Sequence, residues 1–116
     1  VRFAPNARNR GMSRADESGA IEVEARALFR LLSDWAPPRV DALKIDIEGA
    51  ELDVLAAFFR AAPDALKPFF LIAEISHEAR QGALASLLSD EGYAVSAVNR
   101  LNLVARRAGA VTRRTD

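Results

Sequence analysis

Hydrophobic and polar residues alternate along this chain in patterns that predict strands and helices in turn. Residues 1–20 are rich in Arg, Asn, Gly, Ser and Asp, and they predict a loop-rich segment. A short alternating stretch over 21–24 indicates an exposed strand. Leucines and a tryptophan at helical spacing then predict a helix over 26–35, which Pro37 and Pro38 end.

The middle of the chain repeats this order twice. Residues 40–47 carry β-branched and large apolar side chains and predict a mostly buried strand. A helical pattern follows and stops at Pro63, after which the apolar run over 69–75 predicts the next strand. Ser76 suits the N-cap of another helix, and Gly92 stands where a left-handed C-cap would end it.

Two further strands are predicted near the end of the chain, over 93–98 and 101–106. Only Asn99 and Arg100 separate them, which indicates a tight antiparallel hairpin. The complete order is β-α-β-α-β-α-β-β, and strands that alternate with helices predict an α/β fold with a parallel sheet and an antiparallel edge. In such a sheet, functional groups gather at the carboxyl ends of the strands.

Composition narrows the functional classes. The 116 residues suffice for one small domain, and 50% of them are hydrophobic. Sixteen basic and sixteen acidic residues cancel, and we expect the arginines near both ends to be solvated, so we predict no nucleic-acid partner. The lack of cysteine rules out disulfides and thiolate metal sites. No apolar run approaches the roughly 20 residues that span a bilayer, and no signal-peptide pattern is present, so we expect a cytoplasmic protein.

Three acids crowd the end of the strand predicted over 40–47 and the start of the next helix: Asp46, Glu48 and Glu51. Asp46 and Glu48 are two residues apart and would share one face if the strand continued that far. Like charges this close are costly, and Lys44 with the helix N-terminus compensates them only in part, so a cationic ligand or a metal ion would complete the balance. Glu51 fits the ordinary stabilisation of a helix start. Stability does not explain Asp46 inside an apolar strand, so a functional role is favoured.

The run from Leu43 to Leu55, LKIDIEGAELDVL, resembles the central signature of the FkbM-family methyltransferases, hydrophobic-K-I-D-V-E-G-A-E. Ile47 stands in the valine position. Flanking residues resemble the family pattern too: Asn9, Gly11, Met12 and Ser13 for its N-x-G-x-S loop, Glu74 for the acid that closes its next strand, and Gly92 with Tyr93 for its later Gly-Tyr. The usual Thr-Leu-Asp of the linking region is replaced by Ala27, Leu28 and Phe29. The resemblance covers most of residues 5–106.

This resemblance implies a Rossmann-like methyltransferase fold that transfers the methyl group of S-adenosylmethionine to a hydroxyl of a sugar or secondary metabolite. The strands would be the fourth to the seventh of a seven-stranded sheet. The family's glycine-rich cofactor loop and its ribose-binding acid have no counterpart before residue 40. We therefore expect a loop-rich segment over 1–20, the C-terminal half of a methyltransferase domain over 21–107 and a basic, frayed tail over 108–116. Such a fragment is expected to be inactive alone.

The expected site combines the resemblance with the chemistry of the side chains. Catalytic roles fall to Asp46, Glu48 and His77, cofactor contacts to Asp46, Asn9 and Ser13, substrate contacts to Glu74 and Lys44, and any metal to Asp46, Glu48 and Glu74. Either Asp46 or Glu48 would act as the base or hold a divalent ion. His77 is the only histidine and suits proton transfer near neutrality, although the first turn of a helix also commonly carries a surface histidine. Asn9 and Ser13 would equally serve as turn formers.

Two other classes stay open at this point. Oxygen ligands at the ends of two strands also suit Mg²⁺, which would give a phosphoryl-transfer or nuclease-like site on the same acids. A non-catalytic remnant or interaction domain is the third class, because the cofactor loop has no counterpart. We further expect the strand over 40–47 to have a poorly protected edge, and therefore expect self-association.

Overall fold

A computed structural model describes residues 2–4, 14–75 and 78–107 of the chain. Three short strands form a small antiparallel sheet in the order β2-β1-β3. They are β1 (Arg2–Ala4), β2 (Arg14–Ala15) and β3 (Ile21–Glu22). Two of these strands therefore lie inside the segment that the sequence predicts as loop-rich. The third agrees with the predicted exposed strand, since both of its residues are exposed.

The rest of the described chain forms a mixed four-stranded sheet with three helices. Its elements are α1 (Leu28–Trp35), β4 (Ala42–Ile45), α2 (Glu51–Ala61), a short 3-10 helix (Asp64–Leu66), β5 (Phe70–Glu74), α3 (Glu78–Asp90), β6 (Tyr93–Ala97) and β7 (Asn102–Arg107). The strand order is β4-β5-β7-β6. Only β4 and β5 are parallel, because β7 runs antiparallel to both of its neighbours. The α/β class is confirmed, and the main sheet is less parallel than predicted.

One face of this sheet carries the core. Alternate residues of β5 and β7 are fully buried and pack with apolar side chains of α2 and α3: Leu71, Ala73, Leu103, Ala105, Leu55, Phe58, Phe59, Leu84 and Leu88. On the opposite face of β5, Phe70 is 37% exposed and Ile72 is only partly buried. The continuous apolar run over 69–75 thus forms a strand with one covered and one half-open face, which its composition does not reveal.

The strand predicted over 40–47 is shorter and more exposed than expected. It spans four residues, of which only Ile45 is buried, so the expectation of a mostly buried strand is wrong. In the part of the chain that the structure describes, β4 has a single neighbour, β5, and its other edge is open. Beyond its end at Ile45, Glu48 and Gly49 have positive φ angles of +53° and +110°, which cannot continue a sheet. Asp46 and Glu48 therefore lie in a loop beyond the strand.

The turns on either side of β6 depend on particular side chains and backbone angles. Gly92 has a φ of +87° and its N–H donates to the Ser89 carbonyl at 3.0 Å, so the predicted left-handed end of α3 is confirmed. The connection from β6 to β7 spans 98–101, longer than the two predicted residues. Asn99 organises it, because its Oδ1 accepts the backbone N–H of Leu101 at 2.9 Å. Ser76 lies outside the described residues.

Among the described residues, no helix combines the length and the apolar character needed to cross a membrane.

Candidate functional site

The carboxyl ends of β4 and β5 bring two acids side by side. Ile45 is paired with Ala73 in the parallel ladder, so the next residue on each strand path, Asp46 and Glu74, meet at the same edge. Asp46 is exposed and Glu74 is half-buried. Two acids that lie 28 positions apart in the sequence thus become neighbours because of the parallel register of β4 and β5.

The negative charge of Asp46 acts on the carboxyl group of Glu74. The pKa of Glu74 is raised above its ordinary value of 4.5, chiefly by the negative charge of Asp46 and then by partial burial. A hydrogen bond with Asp46 and the charge of Glu48 raise it further, whereas the charge of Lys44 lowers it. The loop and the two strand ends therefore hold excess negative charge, which favours a bound proton or a cationic ligand.

The loop between β4 and α2 is held by a carboxylate that belongs to the helix. Glu51 accepts the backbone N–H of Ile47 on Oε1 at 2.8 Å and that of Gly49 on Oε2 at 3.0 Å. Its side chain is only 2% exposed. From α3, the Arg80 guanidinium donates to the carbonyl of Gly49. The backbone on both sides of Glu48 is thus tethered to two helices.

Four of the residues predicted from the sequence come together in this way: Asp46, Glu48, Glu74 and Lys44. The roles proposed for His77, Asn9 and Ser13 fall outside the described residues. In residues 2–4, 14–75 and 78–107, no group of three or more His, Cys, Asp or Glu side chains is arranged to hold a metal ion. The geometry therefore gives no support to the metal-dependent alternative.

Sequence reasoning misses two residues that build the site and one that borders it. Glu51 has the spacing of an ordinary helix-start acid, and only its burial and its two bonds distinguish it. Arg80 lies in a different helix, 31 positions from its partner Gly49, and no local pattern signals the contact. Asn102 is paired with Glu74 across β5 and β7, which depends on a register that the sequence does not specify.

A cavity of about 320 Å³ lies at the opposite end of β4. Its lining is mainly apolar and includes Trp35, Val40, Phe58 and Leu66. None of Asp46, Glu48, Glu51 and Glu74 lines this cavity. This cavity thus lies apart from the charged groups at the carboxyl ends of β4 and β5.

Comparison with known proteins shows the family of the chain. A family model described as a methyltransferase FkbM domain matches residues 3–95, a stretch that includes Asp46, Glu48, Glu51 and Glu74. Comparison with curated proteins gives no match, and comparison with solved structures gives none either.

Proposed function

We propose a function from the premise that this chain belongs to the FkbM methyltransferase family. In this proposal the methyl donor is S-adenosylmethionine and the acceptor is a hydroxyl group of a sugar or a secondary metabolite. The mixed α/β sheet with its three helices is consistent with part of a methyltransferase-like fold. We assign its strands β4 to β7 to the fourth to seventh positions of the seven-stranded sheet that the family resemblance implies.

The chemistry of the acidic edge fits this donor. S-adenosylmethionine supplies a methyl group activated on a positively charged sulfur, next to an ammonium group. The single observation that carries the proposal is the cluster of Asp46, Glu48 and Glu74, whose mutual repulsion raises the pKa of Glu74. A cation at this edge relieves that repulsion, because it stabilises the charged form of each carboxylate.

Each residue of the edge has a distinct task in the proposal. Either Asp46 or Glu48 is the carboxylate that accepts the proton of the acceptor hydroxyl, a role that requires a hydrogen bond to the reacting oxygen. Glu74 and Lys44 bind the acceptor and fix its orientation, which lowers the entropic part of the barrier. Glu74, with its raised pKa, also retains a proton to a higher pH than an ordinary glutamate and so can donate a hydrogen bond.

The proposal is tested by titrating the chain with S-adenosylmethionine and following backbone amide signals by NMR, which reveals binding even at a Kd of about 1 mM. We expect the largest shifts at residues 45–51 and 74. Asp46→Asn should weaken the binding by about tenfold, the effect of about 1.4 kcal/mol. Asp53→Asn is the matched control, since it removes an exposed acid from the same helix start and should leave the affinity unchanged.

Three other outcomes of these titrations would contradict this proposal. Shifts caused by Mg²⁺ at the same amides, without any caused by S-adenosylmethionine, would favour the phosphoryl-transfer class. A lack of localised shifts with either probe would favour a non-catalytic interaction domain. Equal weakening by the two asparagine variants would show that general charge, rather than the site, attracts the ligand.

A further inference from the structure

We infer that Glu51 is a positioning residue, which clamps the loop 46–50 and so fixes where Asp46 and Glu48 are presented. The consequence for methyl transfer rests on the proposed function, whereas the clamp itself rests on contacts of the described residues. Glu51 does not reach the open edge where a ligand would lie, because its side chain is 2% exposed. It acts through the backbone of the loop.

The first step of the argument is the cost of burying this carboxylate. In the described part of the chain, Glu51 is the one charged side chain that is buried. A buried charge is strongly destabilising unless hydrogen bonds replace the lost water. Each oxygen of Glu51 accepts one backbone N–H, at 2.8 Å from Ile47 and 3.0 Å from Gly49. The arrangement is therefore specific to this loop conformation, since any other would leave the carboxylate buried without partners.

The second step concerns the residue between the two tethered amides. Glu48 has a φ of +53°, a left-handed conformation that is unfavourable for a residue with a side chain. The two hydrogen bonds to the Glu51 carboxylate oppose this strain, because hydrogen bonds to charged groups are stronger than those between neutral groups. They hold Glu48 in place on both sides, and the bond to Ile47 also fixes the residue that follows Asp46.

The third step separates the clamp from an ordinary effect of acids on helices. Acids in the first turn stabilise a helix through its dipole. Asp53 lies in the same first turn of α2 and is exposed, so it can supply this effect alone. If Glu51 acted only on the dipole, removing either charge would have the same consequence. If Glu51 is the clamp, only its own removal releases the loop.

The test compares Glu51→Gln with Asp53→Asn in the whole chain. Glutamine keeps the volume, but its NH₂ group cannot accept a hydrogen bond, so one of the two tethers is lost. We expect amide hydrogen exchange at Ile47 and Gly49 to accelerate by about tenfold or more in Glu51→Gln. The amide of Leu55, in the buried part of α2, should keep its exchange rate. Asp53→Asn should change none of the three rates, and equal acceleration by both variants would overturn the inference.

A second readout reports on the acids and needs no ligand. The raised pKa of Glu74 depends first on the nearby charge of Asp46, and the charge of Glu51 is not among its causes. If the clamp positions Asp46, then Glu51→Gln should move the pKa of Glu74 back towards 4.5, as followed by the NMR signal of its carboxyl carbon. An unchanged Glu74 titration would mean that Glu51 only supports the fold, and would overturn the positioning role.

Two further measurements test the clamp, one on the unmodified chain and one with the ligand. If Glu51→Gln does not fold, the amides of Ile47 and Gly49 in the unmodified chain should still be protected from hydrogen exchange, because each donates to the buried carboxylate. Exchange of both amides at the rate of unprotected loop amides would overturn the clamp. In the ligand arm, Glu51→Gln should weaken S-adenosylmethionine binding by about tenfold. If the unmodified chain does not bind this ligand, the proposed function fails, while exchange and titration still decide the clamp.

Discussion

Glu74 and Asp46 interact as a pair, and the pair should be visible in the pH dependence of stability. The pKa of Glu74 is raised above 4.5 in the folded chain, mainly by Asp46, so the folded state binds its proton more tightly than the unfolded state does. The stability that this group contributes is fully present where Glu74 is protonated in both states, and it is lost as the pH rises through the raised pKa. Above that pKa, the negative charge of Glu74 repels that of Asp46.

We therefore expect Glu74→Gln to flatten this decrease and to raise the free energy of unfolding at neutral pH. The measurement is urea unfolding of both proteins at several values from about pH 4 to about pH 8. Asp46→Asn removes the main cause of the raised pKa and should flatten the same slope. In a double-mutant cycle, adding Glu74→Gln to Asp46→Asn should then have little further effect on the slope. Additive effects would show that the two carboxyls titrate independently.

At the scale of single elements, helix α3 offers a test of backbone conformation with a control inside the same helix. Gly92 follows the helix with a φ of +87°, whereas Gly82 lies within it, and a β-carbon on either would meet no atom within 4 Å. Because neither position is crowded, the identical change to alanine tests conformation alone. Gly92→Ala should destabilise the chain by about 1–2 kcal/mol, through left-handed strain.

Gly82→Ala should act in the opposite direction. Alanine in a helix interior is more favourable than glycine by about 0.5–1 kcal/mol, so thermal and urea unfolding should both shift to higher midpoints. Loss of stability with Gly82→Ala would mean that the helix is packed more closely there than its open surroundings indicate. A neutral Gly92→Ala would mean that the end of α3 readjusts to another turn.

The same elements show what sequence patterns can and cannot predict. The helical spacing of apolar residues locates α2 to within one or two residues, and the apolar run locates β5 equally well. Both patterns arise because one face of each element is buried. The strand over 40–47 is predicted too long, since nothing in its apolar composition shows that only residues 42–45 pair with β5. Pairing of β7 between β5 and β6 is equally invisible, because it depends on contacts between distant segments.

The residues of the candidate site also differ in whether the sequence predicts them. The places of Asp46, Glu48 and Glu74 after two strands can be predicted, because the apolar runs that precede them locate the strands. Their proximity requires the parallel register of β4 and β5. Glu51 and Arg80 cannot be predicted, since their partners are backbone atoms, which any residue type provides.

At the scale of the whole molecule, the sheet is covered unevenly. Its core lies on the face that packs against α2 and α3, and the strand β4 has one paired edge and one open edge in the described part of the chain. The N–H of Phe70 donates to the carbonyl of Asp41 at 3.1 Å, so the backbone groups of Asp41 point towards β5. Because successive residues of a strand alternate in this direction, those of Ala42 and Lys44 point to the open edge. Exposed backbone donors of this kind pair readily with another strand.

We propose that the chain self-associates through this open edge. The unpaired backbone of β4 favours this association, and so do the exposed side chains beside it. Ala42→Pro removes one outward-facing N–H and leaves the bonds to β5 intact, a position that an edge strand tolerates. In sedimentation velocity, the unmodified chain should show a weight-average mass that rises with concentration, whereas Ala42→Pro should sediment as a monomer. Ala42→Val is the control, because it changes the side chain but keeps the backbone donor, and it should still associate. A concentration-independent monomer for the unmodified chain would contradict the proposal, and loss of association in both variants would place the contact on side chains rather than on the strand edge.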